Sequence, residues 1–206
     1  MNIVFWGEKR QSGTTANLIA TAAVLSELCP QKKVVIRRRM EKVREEADYV
    51  FFDCGTGLTA RNKRMLWRAD AVVMNLRQDQ MSAEQFLGNY LHLARQPFVL
   101  LGSYFGEVEA GKGYLQRIHR ISPEQTGTIP YNSAFHQAML VGRGSAFIKR
   151  EYREPVNSLN EQFIEETERI ARYILRTEAE SDRKRALRQT HLVKEQPSTI
   201  HKTRRK

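Results

Sequence analysis

Short apolar runs alternate with helix-length segments along most of this chain. The runs carry hydrophobic residues at successive positions, which is typical of strands buried on both faces of a parallel sheet. Strands that alternate with helices predict an α/β fold, a doubly wound and mostly parallel sheet in a three-layer sandwich of the Rossmann type. The predicted strands are residues 2–6, 33–36, 49–53, 69–76, 98–101 and 127–131. The predicted helices are residues 16–28, 41–47, 58–68, 81–94, 114–121, 133–141 and 156–176.

The alternation stops near Thr177, where bulky aliphatic residues become sparse. We therefore predict one domain, residues 1–176, and a basic, disordered tail, residues 177–206. No apolar run reaches the length of a membrane span and no signal segment is visible, so we expect a cytoplasmic protein. Cys29 and Cys54 lie far apart and the five histidines lack ligand spacing, which predicts neither zinc nor disulfides.

Positive charge is concentrated towards the end of the chain. The net charge is +11, and residues 176–206 hold ten Lys or Arg against four Asp or Glu, a net +6. Such a tail suits contact with nucleic acid or an acidic surface, although a solvated end is the alternative. Three arginines after the second strand could neutralise phosphate charge or bind a nucleic-acid backbone, and the alternative is a solvated turn. The candidate contact residues are Arg37, Arg38, Arg39, Arg183, Lys184, Arg185, Arg204, Arg205 and Lys206.

The junction between the first strand and the first helix predicts an anion site. The first turn of a helix leaves backbone N–H groups unpaired, and Gly7 and Gly13 allow a phosphate to approach the backbone closely. Counted from Gly7, the P-loop pattern G-x-x-x-x-G-K-[ST] has Ser12 at its second glycine, Gly13 at its lysine and Thr14 at its magnesium-binding hydroxyl. The alternative is an ordinary helix cap. The candidate nucleotide-binding residues here are Gly7, Lys9, Arg10, Ser12, Gly13, Thr14 and Thr15.

A second polar segment follows the strand 49–53. Asp53 ends that strand, and Gly55 and Gly57 follow within four residues. Because parallel strands end at one edge of a sheet, we expect Asp53 to lie beside the Gly7 loop. There Asp53 and Thr14 would hold Mg²⁺, Asp53 would serve as the catalytic carboxylate, and the amide of Gly55 or Gly57 would face a terminal phosphate. The alternative is that Asp53 merely initiates a turn.

Together these segments resemble the ParA/MinD group of P-loop ATPases, including its TadZ-like members. The resemblance covers most of residues 1–175 and rests on four segments. They are the Gly7–Thr15 frame, residues 48–57 (D-Y-V-F-F-D-C-G-T-G), residues 69–73 with Ser82-Ala83-Glu84, and residues 127–131 (G-T-I-P-Y). It implies ATP with Mg²⁺ held between two subunits of a homodimer, with Pro130 and Tyr131 at the base. The alternative for Tyr131 is an ordinary loop tyrosine. It also implies that dimerisation positions DNA or protein complexes in secretion, conjugation or partition machinery.

The chain departs from the pattern of that family at several positions. Glu8 and Gly13 stand where two lysines are expected, and Arg37–Arg39 occupy the place of aspartates after the second strand. Gly102-Ser103 replaces an asparagine that reads adenine. Phosphoryl transfer depends on such groups for positioning and charge neutralisation, so we expect impaired hydrolysis. Trp6 and Trp67 are predicted to be core or sheet-edge aromatics.

The sequence therefore predicts a divergent positioning or partition factor with, at most, a weak ATP-dependent dimerisation switch. Two alternatives stay open. One is a slow ATPase in which Lys9 or Arg10 replaces the missing lysine. The other is a non-catalytic adaptor or nucleic-acid-binding protein that keeps the fold as a scaffold and makes contact through its basic tail.

Overall fold

The computed structural model describes residues 1–7, 10, 12–37, 46–57, 59–81, 83–84, 88, 93, 96–104, 106 and 111–194, with backbone alone for 188–194. Six of the predicted site residues lie outside this set: Lys9, Arg38, Arg39, Arg204, Arg205 and Lys206. The predicted helix 41–47 also falls mainly outside it.

Six parallel strands form one sheet, which confirms the predicted α/β fold. Their order is β2-β3-β1-β4-β5-β6, so that β1 lies between β3 and β4. Each strand falls close to a run of apolar residues that the sequence analysis identified. The strands are β1 (Asn2–Gly7), β2 (Val34–Arg37), β3 (Tyr49–Thr56), β4 (Ala71–Leu76), β5 (Phe98–Tyr104) and β6 (Thr126–Pro130).

Helices cover both faces of the sheet. They are α1 (Thr14–Leu28), α2 (Ala60–Arg68), α3 (Lys112–Ile118), α4 (Ser133–Leu140), α5 (Gly144–Arg153) and α6 (Ser158–Lys194). A short 3₁₀ turn, Pro123–Gln125, precedes β6. Within the predicted helix 81–94, the described helical residues are Met81, Ala83, Glu84 and Gly88, and Gln80 just before it is also helical.

The last helix is longer than predicted. Instead of ending at Arg176, α6 continues to Lys194, so residues 177–194 of the predicted disordered tail are helical. Tyr49, buried at the start of β3, donates its hydroxyl to Glu178 across 2.5 Å and anchors this extension. The sequence contains no Gly or Pro between Ser158 and Lys194, so nothing breaks the helix where the apolar pattern thins.

Alternating side chains of the strands build two cores. Ile3 and Phe5 of β1 point to the face covered by α1, α4, α5 and α6, and Val4 and Trp6 point to the face covered by α2 and α3. Both faces are apolar, which explains the uninterrupted hydrophobic runs in the sequence. Trp6 is buried as predicted, whereas the prediction for Trp67 is wrong: this side chain on α2 is 75% exposed.

No helix in the described part of the chain is both long and apolar enough to cross a membrane.

Candidate functional site

The loop from β1 to α1 closes tightly on Gly7, the last residue of β1. A Cβ atom at Gly7 would lie 2.1 Å from Ser12 Oγ and 2.3 Å from Thr14 Oγ1. The two hydroxyl oxygens are themselves 2.9 Å apart and form a buried hydrogen bond. Only glycine leaves room for this return of the chain, which explains the first glycine of the frame.

Gly13 begins helix α1 in the left-handed conformation, with φ 78° and ψ 8°. As the N-cap residue it provides no side-chain hydrogen bond to the first turn, which also lacks acidic residues. Among the described residues no side-chain cap reaches the first turn of this 15-residue helix, and its amides suit an anion from outside the helix. The P-loop pattern expects a lysine at this position, but the left-handed backbone here favours glycine.

Asp53 joins this loop to the end of β3. Its Oδ2 accepts a 2.6 Å hydrogen bond from Thr15 Oγ1, and its Oδ1 accepts a 2.8 Å bond from the backbone N–H of Gly55. The prediction that Asp53 lies beside the Gly7 loop therefore describes the observed geometry. The hydroxyl that reaches Asp53 is that of Thr15, whereas the Thr14 hydroxyl pairs with Ser12.

The two glycines after Asp53 take part in hydrogen bonds at the end of β3. Gly55 (φ 61°) turns its N–H back onto the Asp53 carboxylate. Gly57 (φ 79°) presents its carbonyl oxygen to Trp6 Nε1 and Asn62 Nδ2, each at 2.8 Å. Asn62 lies on α2, and its amide also donates to the carbonyl of Cys54 at 3.1 Å. This side chain therefore ties α2 to the end of β3.

Two buried asparagines that the sequence analysis missed support the loop from below. Asn17 Nδ2 on α1 donates to Asn75 Oδ1 on β4 at 2.9 Å, and Asn75 Nδ2 donates to the Trp6 carbonyl at 3.2 Å. A Cβ at Gly102 on β5 would lie 2.9 Å from the Ser12 carbonyl oxygen, so β5 also touches the loop. The signal in the sequence was one asparagine inside each of two apolar segments, since a buried amide needs polar partners.

A half-buried thiol adjoins the carboxylate. Burial, and after it the negative charge of Asp53, raises the pKa of Cys54 to about 12. Cys54 Sγ lies 3.7 Å from Met65 Sδ, within the core under α2. A thiol with so high a pKa is protonated at neutral pH, and a protonated thiol is a poor nucleophile.

The other predicted residues lie farther from this junction. Arg10 is exposed in the loop. Pro130 ends β6 and Tyr131 follows it, 52% exposed. Since β6 is the third strand from β1, about 14 Å separate the two strands. Arg37 ends the edge strand β2, and its buried Nε has no hydrogen-bond partner in the described part of the chain.

The described basic residues of the predicted tail lie on the extension of α6. Arg183, Lys184 and Arg185 are exposed, and Arg185 lies 3.6 Å from Asp182 one turn away. Lys184 also lines a cavity of about 540 Å³ between α6 and the amino edge of the sheet, together with Asp70, Gln96 and Tyr173. This cavity is at the edge opposite Gly7 and Asp53, so it is unrelated to the junction.

The junction between β1 and α1 has some of the groups that a nucleotide site needs. The Gly13 turn and the first turn of α1 suit phosphate oxygens, and the adjacent Thr15–Asp53 pair offers oxygen ligands of the kind Mg²⁺ prefers. Among the described residues no cluster of three or more His, Cys, Asp or Glu side chains forms a metal site, so a cation here would need oxygens from phosphate and water. Gly13 supplies no charge.

Solved structures with the same fold include cell-division and ParA family ATPases. The Pyrococcus furiosus cell division ATPase MinD is 11% identical with a TM-score of 0.63, covering 84% of this chain and 98% of its own. The Pyrococcus horikoshii septum site-determining protein MinD, complexed with Mg-ADP, is 12% identical with a TM-score of 0.62, covering 86% and 99%. A ParA family ATPase from Chlorobium tepidum is 13% identical with a TM-score of 0.59, covering 81% and 96%.

This likeness confirms the predicted fold: the chain has the α/β architecture of the MinD and ParA ATPases over most of its length. No protein-family model and no curated protein matches the sequence.

Proposed function

We propose that this chain is a positioning or partition factor of the ParA/MinD/TadZ type, with a weak ATP-dependent dimerisation switch and impaired hydrolysis. The observation that carries the proposal is the 2.6 Å hydrogen bond from Thr15 to Asp53 beside the uncapped start of α1. It joins the start of α1 to the end of β3, and a phosphate chain and its cation would lie at this place. The shared fold with ATPases, one of them solved with Mg-ADP, supports the assignment.

ATP and Mg²⁺ are the proposed cofactors. The backbone of Gly13, Thr14 and Thr15 would hold the phosphates, and Asp53 would orient the cation through Thr15 or water. Mg²⁺ would neutralise phosphate charge there. Pro130 and Tyr131 at the end of β6 would flank the base. The cytoplasm is the proposed location.

Weak binding and slow hydrolysis have one physical cause in this proposal. Catalysis of phosphoryl transfer is almost entirely positioning and charge neutralisation. Gly13 brings no ammonium to the phosphates, and Arg10 is exposed in the loop. Both oxygens of Asp53 already accept hydrogen bonds, from Thr15 and from Gly55. In this proposal the backbone recognises the phosphates, and the described residues of the loop bring little of the positive charge that stabilises a transition state.

Calorimetric titration with ATP and Mg²⁺, with mass measured in parallel by light scattering, tests the proposal. We expect weak, saturable binding and a shift from monomer to dimer, with little turnover. Thr15→Val removes the hydroxyl that reaches Asp53 and should weaken binding. Ser26→Ala is the matched control, because it removes a hydroxyl that bonds the Ala23 carbonyl near the other end of α1. No heat and no mass change at millimolar ATP would refute the switch.

The slow-ATPase alternative predicts that reversing the charges of Lys9 and Arg10 together abolishes any turnover. Unchanged turnover in that variant excludes it.

The adaptor alternative draws on the exposed basic side chains of the α6 extension, Arg183, Lys184 and Arg185. It predicts that Arg183→Glu with Lys184→Glu abolishes partner binding while the response to ATP is absent from the start. Retained partner binding in that variant would contradict the adaptor function.

A further inference from the structure

Helix α2 presents a basic face around an exposed tryptophan. Its nine residues include four basic side chains and no acidic one, and all four are exposed: Arg61, Lys63, Arg64 and Arg68. Trp67 on the same side is 75% exposed. The inward side is separate, because Asn62, Met65 and Leu66 are buried against the sheet. The charged and aromatic side chains therefore contribute nothing to the core of the domain.

The members of this face are spaced to act together. Lys63 and Arg64 precede Trp67 by four and three residues, so they are its neighbours on the helix surface. Arg61, Arg64 and Arg68 form a stripe that spans about 10 Å along the axis. Within the described residues, Lys63, Arg64 and Arg68 form no ion pair and Trp67 forms no ring or cation–π contact. Lys63, Arg64, Trp67 and Arg68 are all exposed, so these side chains can contact a ligand.

We propose that the outer face of α2 binds single-stranded nucleic acid, with a base stacked on Trp67 and phosphates held by the surrounding arginines and lysine. Aromatic stacking combined with a positively charged track is how proteins bind single strands without sequence preference. Guanidinium groups match phosphate oxygens with paired hydrogen bonds. This site is distinct from the nucleotide junction and from the basic extension of α6.

Other anionic partners fit the face less well. A membrane surface needs a broad apolar area, but Met65 and Leu66 of α2 face the core and leave Trp67 alone outside. An acidic peptide would pair with the cations and leave the indole without a stacking partner. In a duplex the bases are already stacked, so a tryptophan gains a base only by forcing a step apart. A single strand satisfies both the charges and the ring.

Binding of a fluorescein-labelled 12-residue oligothymidylate to the full chain tests the proposal, by anisotropy at several salt concentrations without nucleotide. Trp67→Ala should weaken binding between about five- and 150-fold, the range for loss of one base stack. Trp67→Phe retains a ring and should restore most of the affinity. Since Trp6 is buried, oligonucleotide should also quench the fluorescence of Trp67 specifically.

The charge contribution has its own matched pair of variants. Arg64→Glu with Arg68→Glu should weaken binding and reduce the slope of log K against log salt by about 1.4, two phosphate contacts on a single strand. Arg183→Glu with Lys184→Glu changes the net charge equally on the α6 extension and should leave most of the affinity. Thermal melting verifies that each variant is folded.

Three results would overturn the proposal. The first is a Trp67→Ala affinity within twofold of the unmodified chain. The second is an equal loss in the Arg183/Lys184 control, which would assign binding to general charge or to α6. The third is a duplex of the same length that binds as tightly as the single strand.

Discussion

The left-handed backbone at Gly13 predicts the cost of placing there the lysine that the P-loop frame expects. An L-residue in this conformation costs about 1–2 kcal/mol. Replacing glycine also reduces the conformational freedom of the unfolded chain, which raises the free energy of unfolding by about 0.4–1 kcal/mol. A Cβ at Gly13 would also lie 3.2 Å from Asn17 Nδ2, which already donates to Asn75. Displacing that bond adds about 0.5–1.5 kcal/mol.

Gly13→Ala should therefore lower the free energy of unfolding by about 1–2 kcal/mol, and Gly13→Lys by a similar amount. For a chain of this size, each kcal/mol lowers the melting temperature by about 2–4 °C. Gly57→Ala is the control for strain alone, because Gly57 has φ 79° and no atom within 4 Å of a built Cβ. That variant should lose about 0.5–1 kcal/mol.

Urea and thermal denaturation of the three variants, followed by circular dichroism, measure these differences. The reasoning is refuted if Gly13→Ala is no less stable than Gly57→Ala. A second readout is the affinity for Mg-ATP of Gly13→Lys relative to Gly13→Ala. Because the two variants share the backbone strain, any difference in affinity reports the ammonium group alone.

Two further perturbations test the loop and the buried carboxylate. Gly7→Ala places a Cβ against two hydroxyl oxygens and should lower the free energy of unfolding by about 1–3 kcal/mol. The control Gly88→Ala lies in a helix with open space around the Cβ, so it should leave the stability unchanged or raise it. Equal effects of the two substitutions would contradict the tight packing at Gly7. Glu151 is fully buried, and although burial alone would raise its pKa, hydrogen bonds from a backbone N–H, Asn160 and the adjacent arginine hold the pKa below its usual value. The ionised Glu151 therefore stabilises the fold above its unfolded pKa of about 4.3, and this stabilisation is lost as pH falls through the lower folded pKa. In urea denaturation between pH 6 and pH 2, the free energy of unfolding should fall more for the unmodified chain than for Glu151→Gln. Parallel curves for the two proteins would contradict this.

The strands were predictable because both faces of the sheet are covered, which forces continuous apolar runs such as Phe98–Leu101. The same rule brought Asp53 beside the Gly7 loop, since parallel strands end at one edge. Which hydroxyl reaches the carboxylate was not predictable. The choice of Thr15 over Thr14 depends on the rotation of α1 about its axis, which Gly13 sets through its left-handed turn.

Residue type misled the interpretation of Trp67. Met65 and Leu66 face inward, and a residue one or two places later on a helix lies about 100° or 200° further round. The helical periodicity therefore indicated that Trp67 faces outward. The prediction instead followed the general tendency of tryptophan to be buried. Similarly, α6 continues beyond Arg176 because Tyr49 and Glu178 meet across 129 positions of sequence, a contact that composition does not reveal.

The amide of Asn62 has a thermodynamic consequence. It bonds carbonyls of Cys54 and Gly57 on the segment that carries Asp53, while its own helix carries Trp67 outside. The proposed ligand on the outside of α2 and the proposed ligand at Asp53 would therefore contact two elements that this amide joins, and each would change the affinity for the other. Linkage makes such an effect reciprocal: the factor by which Mg-ATP changes the affinity for oligothymidylate must equal the factor by which oligothymidylate changes the affinity for Mg-ATP.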